Sequence, residues 1–150
     1  MSIEIDDPVE ILLVEDNPDD EELTLMALSR HNIGNRIHVV RDGAEALEFI
    51  FATGRYENRN HQHHPRLILL DIKLPLVDGL EVLRRIKSDP ETRRIPVVLL
   101  TSSREESDIL AGYENGTNSY IVKPVDFTQF GESMRQVGMY WLLVNTPPAV

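Results

Sequence analysis

Apolar residues in this chain gather in short, solid runs. Ile11-Leu12-Leu13-Val14, Leu67-Ile68-Leu69-Leu70, Val97-Val98-Leu99-Leu100 and Tyr120-Ile121-Val122 lie far apart, with mixed segments between them. Runs of this length without polar alternation predict strands buried on both faces, as in a parallel sheet covered by helices. With a further strand at 36–40, the strands are placed at about 10–14, 36–40, up to 71, 96–100 and 119–122. Helices are expected at about 18–31, 44–51, after a turn punctuated by Pro75 and Gly79 to about Lys87, 105–115, and from 126 to as far as 144. Pro18 suits a first helical turn. Asp42-Gly43 opens the second helix, Asp89-Pro90 stops the third, and Gly116 is a natural stop for the fourth. Residues 53–66 are polar and read as a loop, and 145–150, with Pro147-Pro148, as a tail. Five strands alternating with five helices imply an α/β fold in one domain spanning 1–150.

The ends of the runs carry the chemistry. The first strand passes into Glu15-Asp16, the third ends at Asp71, the fourth meets Thr101-Ser102, and the fifth meets Lys123-Pro124. If the strands are parallel, these ends share one edge, where open α/β sheets build their sites. Three carboxylates held close together repel one another. A divalent cation removes that conflict, and Mg²⁺ favours oxygen ligands with room for waters and a phosphate oxygen. Asp71 can then ligate with one oxygen and attack phosphorus with the other, which would form an aspartyl-phosphate. Lys123 would balance the phosphoryl charge beside the metal, and Thr101 would hydrogen-bond another phosphoryl oxygen.

Composition narrows the field. The 150 residues include no cysteine, so disulfide, zinc-thiolate and thiol-nucleophile chemistry are excluded. A formal net charge of -10 argues against binding nucleic acid or an anionic membrane. No apolar stretch approaches the roughly 20 residues of a membrane span. The acidic N-terminal segment lacks the features of a signal peptide, so a cytoplasmic location is expected. His61, His63 and His64 could suggest a metal cluster, but they lie in a polar loop without a supporting pattern of acids. Arg84, Arg85, Lys87, Arg93 and Arg94 read as a solvated helix face and loop.

Leu13-Val14-Glu15-Asp16-Asn17, Leu70-Asp71-Ile72-Lys73-Leu74-Pro75 with Asp78-Gly79, Leu100-Thr101-Ser102 and Tyr120-Ile121-Val122-Lys123-Pro124 together resemble the response-regulator receiver family. The resemblance covers about 8–140. It implies a flavodoxin-like five-stranded parallel sheet of order 2-1-3-4-5. It makes Asp71 the phosphoacceptor, with Glu15, Asp16, Asp71 and the backbone carbonyl of Lys73 holding Mg²⁺. Thr101 and Lys123 read the phosphate, Tyr120 is an aromatic switch, and the Lys123–Pro124 bond is often cis. A sensor histidine kinase is the implied donor, and the chain would be no enzyme beyond its own phosphoryl transfer and dephosphorylation.

Arg41-Asp42-Gly43, Gly54-Arg55-Tyr56-Glu57-Asn58, Arg94-Ile95-Pro96-Val97-Val98 and a helix bearing Trp141 add a narrower likeness. They resemble the single-domain regulators of cyanobacterial phytochrome kinases. Lys73 and Ser103 depart from the family average at positions that influence phosphate lifetime. Two rivals remain. A phosphatase using an aspartyl-phosphate would carry an acid where Lys73 stands, and a phosphate-independent scaffold would have no need of the acceptor set. No output domain is expected after the fifth helix, so output would pass through protein contacts. The apolar run from Met139 to Val144, in a C-terminal extension spanning 139–150, is expected to take part in a homodimer through Tyr140, Trp141 and Leu143.

Overall fold

The computed structural model describes residues 9–30, 36–102, 106–139 and 143. Strands β1 (Ile11–Val14), β2 (Ile37–Val40), β3 (Leu67–Asp71), β4 (Val97–Thr101) and β5 (Ser119–Val122) alternate with five helices. These are α1 (Pro18–Arg30), α2 (Gly43–Phe51), α3 (Gly79–Ser88), α4 (Glu106–Glu114) and α5 (Phe127–Gln136). All strand pairs are parallel, and the order is β2-β1-β3-β4-β5.

The solid runs are explained by two-sided burial. Leu12, Val14, Ile68, Leu70, Val97 and Leu99 face one core with Phe49, Ile50, Val82 and Ile86 from α2 and α3. Ile11, Leu13, Leu67, Leu69, Val98 and Leu100 face a second core with Leu28 of α1 and Phe130 and Met134 of α5. Successive strand residues point to opposite faces, so each strand needs an apolar residue at every position. Burying each such side chain contributes about 1.5–3 kcal/mol, and the central strands therefore anchor the edge above them.

Three local expectations needed revision. Residues 53–66 are not wholly irregular, because Gly54–Tyr56 form a single 3-10 turn that buries Tyr56. Helix α5 ends at Gln136 and does not run on to 144. Gly138 takes φ +73 there, a left-handed conformation open to glycine, and the Met139 N–H turns back to Met134 O at 3.1 Å. Leu143 is 1 % exposed and packs in the second core. It is therefore a core residue of its own chain and not a dimer contact. Tyr140 and Trp141 lie outside the described residues.

Candidate functional site

Each functional side chain is carried by a strand end whose backbone is tied to a neighbouring strand. The Glu15 N–H bonds Val40 O at 3.0 Å, and the Ile72 N–H, just past Asp71, bonds Leu100 O at 3.1 Å. The Lys123 N–H bonds Thr101 O at 2.7 Å, and the Lys123–Pro124 peptide is cis. Past Asp71 the chain turns sharply, with the Gly79 N–H on Ile72 O at 2.8 Å. A Cβ at Gly79 would lie 2.1 Å from Asp71 O, so glycine permits the turn to close beneath the carboxylate.

These ties bring four charged groups together across β1, β3, β5 and the first turn of α1. The Lys123 ammonium lies 2.6 Å from Glu15 Oε1, 3.0 Å from Asp71 Oδ2 and 3.0 Å from Asp20 Oδ2. Burial opposes its charged form, yet contacts with Glu15, Asp71 and Asp20 hold its pKa above the ordinary 10.5. Glu15 is completely buried. Burial pushes its carboxyl up to about 7; Lys123 pulls it down and Asp71 pushes it further up.

Glu15, Asp16 and Asp71 each offer a carboxylate oxygen within 4.8 Å of one another. Among the described residues this is the group of three or more metal-type ligands that converges. Glu15 Oε1 is buried and makes no well-aligned hydrogen bond, although the Lys123 ammonium lies beside it. An all-oxygen donor set containing a poorly satisfied buried carboxylate fits a hard divalent cation.

Thr101 closes β4, buried beside this edge. Lys73 is exposed, and its N–H reaches Asp71 Oδ1 at 3.3 Å. Tyr120 is half-buried on β5, with its ring edge-on to Tyr113 at 5.9 Å between centroids. Ser103 lies outside the described residues. His61, His63 and His64 do not join a metal-type group among the described residues. The basic group is more embedded than expected at one position, since Lys87 Nζ caps Ile95 O at 2.7 Å.

Sequence reasoning missed Asp20. Its signal was the acidic pair Asp19-Asp20 directly after Pro18. The Asp19 and Asp20 N–H groups both bond Asn17 Oδ1, at 2.9 and 3.1 Å, which makes Asn17 the cap of α1. That cap fixes Asp20 in the turn that faces Lys123.

The model of the response regulator receiver domain matches residues 11–135. The chain belongs to the response-regulator receiver family. Response regulator Rcp1 of Synechocystis is 40 % identical over 99 % of this chain and 99 % of its own length. A Mn²⁺-bound structure of Rcp1 superposes with a TM-score of 0.73, at 40 % identity over 95 % of this chain and 100 % of that one. The bacteriophytochrome response regulator AtBRR reaches a TM-score of 0.83 at 51 % identity, covering 93 % of this chain and 99 % of that one. The phosphorylated cyanobacterial phytochrome response regulator RcpA reaches 0.73 at 40 % identity, covering 95 % of this chain and all, 100 %, of that one. This receiver is thus similar to regulators named for phytochromes, as the motifs around Arg41, Gly54 and Arg94 implied. No helix among its described residues is long and apolar enough to cross a membrane.

Proposed function

We propose that this chain is a two-component response regulator that accepts a phosphoryl group on Asp71 from a phytochrome-class sensor histidine kinase. One observation carries the reading: the Lys123 ammonium sits 2.6 Å from Glu15 and 3.0 Å from Asp71 at the strand ends. A carboxylate oxygen of Asp71 attacks phosphorus, the phosphorus–nitrogen bond to the donor histidine breaks, and the imidazole keeps the electron pair. Lys123 neutralises a phosphoryl oxygen and Thr101 donates its hydroxyl to another. Mg²⁺, held by Glu15, Asp16, Asp71 and the Lys73 carbonyl, would supply further charge neutralisation at the phosphoryl oxygens. The likeness to a phosphorylated and to a Mn²⁺-bound regulator supports both parts.

The chain acts on no other substrate in this reading. A phosphatase would want an acid at position 73, where an exposed lysine stands. Output passes through protein contacts in the cytoplasm, with Thr101 and Tyr120 as the switch. The acidic surface disfavours nucleic acid and membrane as partners. The homodimer reading rests on Tyr140 and Trp141, and sedimentation of Trp141→Ala should shift toward monomer. Incubation with acetyl phosphate and Mg²⁺ followed by intact mass should give a single phosphoryl adduct, absent from Asp71→Asn. An unmodified wild type, or an adduct that persists in Asp71→Asn, would refute phosphorylation at this site. Faster transfer from a phytochrome kinase than from an unrelated kinase tests the donor class, and equal rates would refute it.

A further inference from the structure

An ammonium has three N–H donors. The Lys123 ammonium donates hydrogen bonds to Asp71 Oδ2 and Asp20 Oδ2, each at 3.0 Å, and lies against Glu15 Oε1 at 2.6 Å. A phosphoryl oxygen can gain a donor when one of these is released. The cost of release depends on what replaces the ammonium. The Glu15 side chain is 0 % exposed and that of Asp71 8 %, so water cannot take the place of the lysine at either. The Asp20 side chain is 33 % exposed, so water can take the place of the lysine. It also stands in the first turn of α1, where the helix N-terminus favours negative charge whether or not the lysine is present.

Resting on the proposed phosphorylation of Asp71, we propose that Asp20 is the exchangeable counter-ion of Lys123. It occupies the ammonium in the resting chain and yields it to the phosphoryl oxygen. Asp20 is therefore a positioning residue that acts through Lys123 and opposes phosphorylation. Its charge also lies 3.0 Å from the ammonium that the phosphoryl group would engage, which adds to the opposition. Asp19 provides an internal control. It lies on the same helical turn and is exposed, and no ion pair joins it to Lys123 among the described residues.

The test compares wild type, Asp20→Asn, Asp20→Ser, Asp20→Glu and Asp19→Asn. The readouts are the phosphorylation rate from acetyl phosphate with Mg²⁺, affinity for the phosphoryl mimic beryllofluoride, and the ¹⁵N resonance of the Lys123 ammonium. Releasing a partly exposed charged hydrogen bond should raise both rate and affinity roughly three- to tenfold in Asp20→Asn and Asp20→Ser. The ammonium resonance should shift in the resting state of these two variants. Asp20→Glu should return toward wild type, and Asp19→Asn should match wild type. Unchanged or weaker beryllofluoride binding in Asp20→Asn overturns the proposal, and so does an equal gain in Asp19→Asn. If wild type takes up neither reagent at Asp71, the phosphorylation reading falls as well. If wild type takes up both and Asp20→Asn gains nothing, the role of Asp20 alone falls.

Discussion

Replacing Glu15 with glutamine should remove one part of the pH dependence of stability of the metal-free chain. Glu15 is 0 % exposed, and burial pushes its carboxyl from 4.5 up to about 7, with Lys123 opposing and Asp71 assisting. Between those values the folded chain holds a proton that the unfolded chain has released. Stability from this group is therefore present at low pH and is lost as pH rises from 4.5 through about 7. At 1.36 kcal/mol per pH unit the full effect is roughly 3 kcal/mol. Urea unfolding in the presence of a chelator, at steps from pH 5 to pH 8, measures it. Wild type should lose up to ~3 kcal/mol relative to Glu15→Gln over that range. Mg²⁺ should act in the opposite direction. Its ligands must be deprotonated, so it should stabilise wild type more at pH 8 than at pH 6. Parallel profiles for the two proteins would show that Glu15 is ordinarily ionised and that the buried edge is solvated.

Three other changes test separate parts of the structure. Lys123→Ala should stay folded, since Glu15 can take up a proton near neutrality in place of the lost cation; it should phosphorylate at least tenfold more slowly by intact mass, about 1.4 kcal/mol of lost stabilisation. A wild-type rate would remove Lys123 from the site. Asp16→Asn should weaken Mg²⁺ binding in a calorimetric titration while leaving metal-free stability within about 0.5 kcal/mol, because Asp16 is exposed; equal affinity would rule it out as a ligand. Arg59→Met should cost about 2–4 kcal/mol in urea unfolding. Buried Arg59 bonds Phe49 O at 2.7 Å, Ile50 O at 3.0 Å and His63 O at 2.8 Å, and a loss below about 1 kcal/mol would show that water replaces it.

Much of the fold was legible in the chain because two-sided burial writes itself into sequence. Every residue from Leu67 to Leu70 must be apolar once helices cover both faces, and a four-residue apolar run that ends in an acid has few other readings. The site was legible for a related reason. Parallel strands collect their C-terminal ends on one edge, so Glu15, Asp16, Asp71, Thr101 and Lys123 could be placed together without knowledge of any contact.

What escaped was decided by partners distant in sequence. Asp20 looks like an ordinary acid at a helix start, and only packing of α1 beside β5 brings it within 3.0 Å of Lys123, 103 positions away. Arg59 belongs to a polar stretch. It is buried because the carbonyls of Phe49 and Ile50, in the last turn of α2, supply acceptors that no local pattern reveals. The run from Met139 to Val144 announced apolar surface that needed cover, but apolar surface is non-directional and does not name what covers it. The chain reversal at Gly138 decides this for Leu143, directing it back among Leu28, Leu67 and Phe130 of its own second core. Sequence alone thus determined which residues must be buried and which edge carries the chemistry. The tertiary structure decided which charge answers Lys123 and which surface receives Leu143, because both depend on where separate helices come to rest.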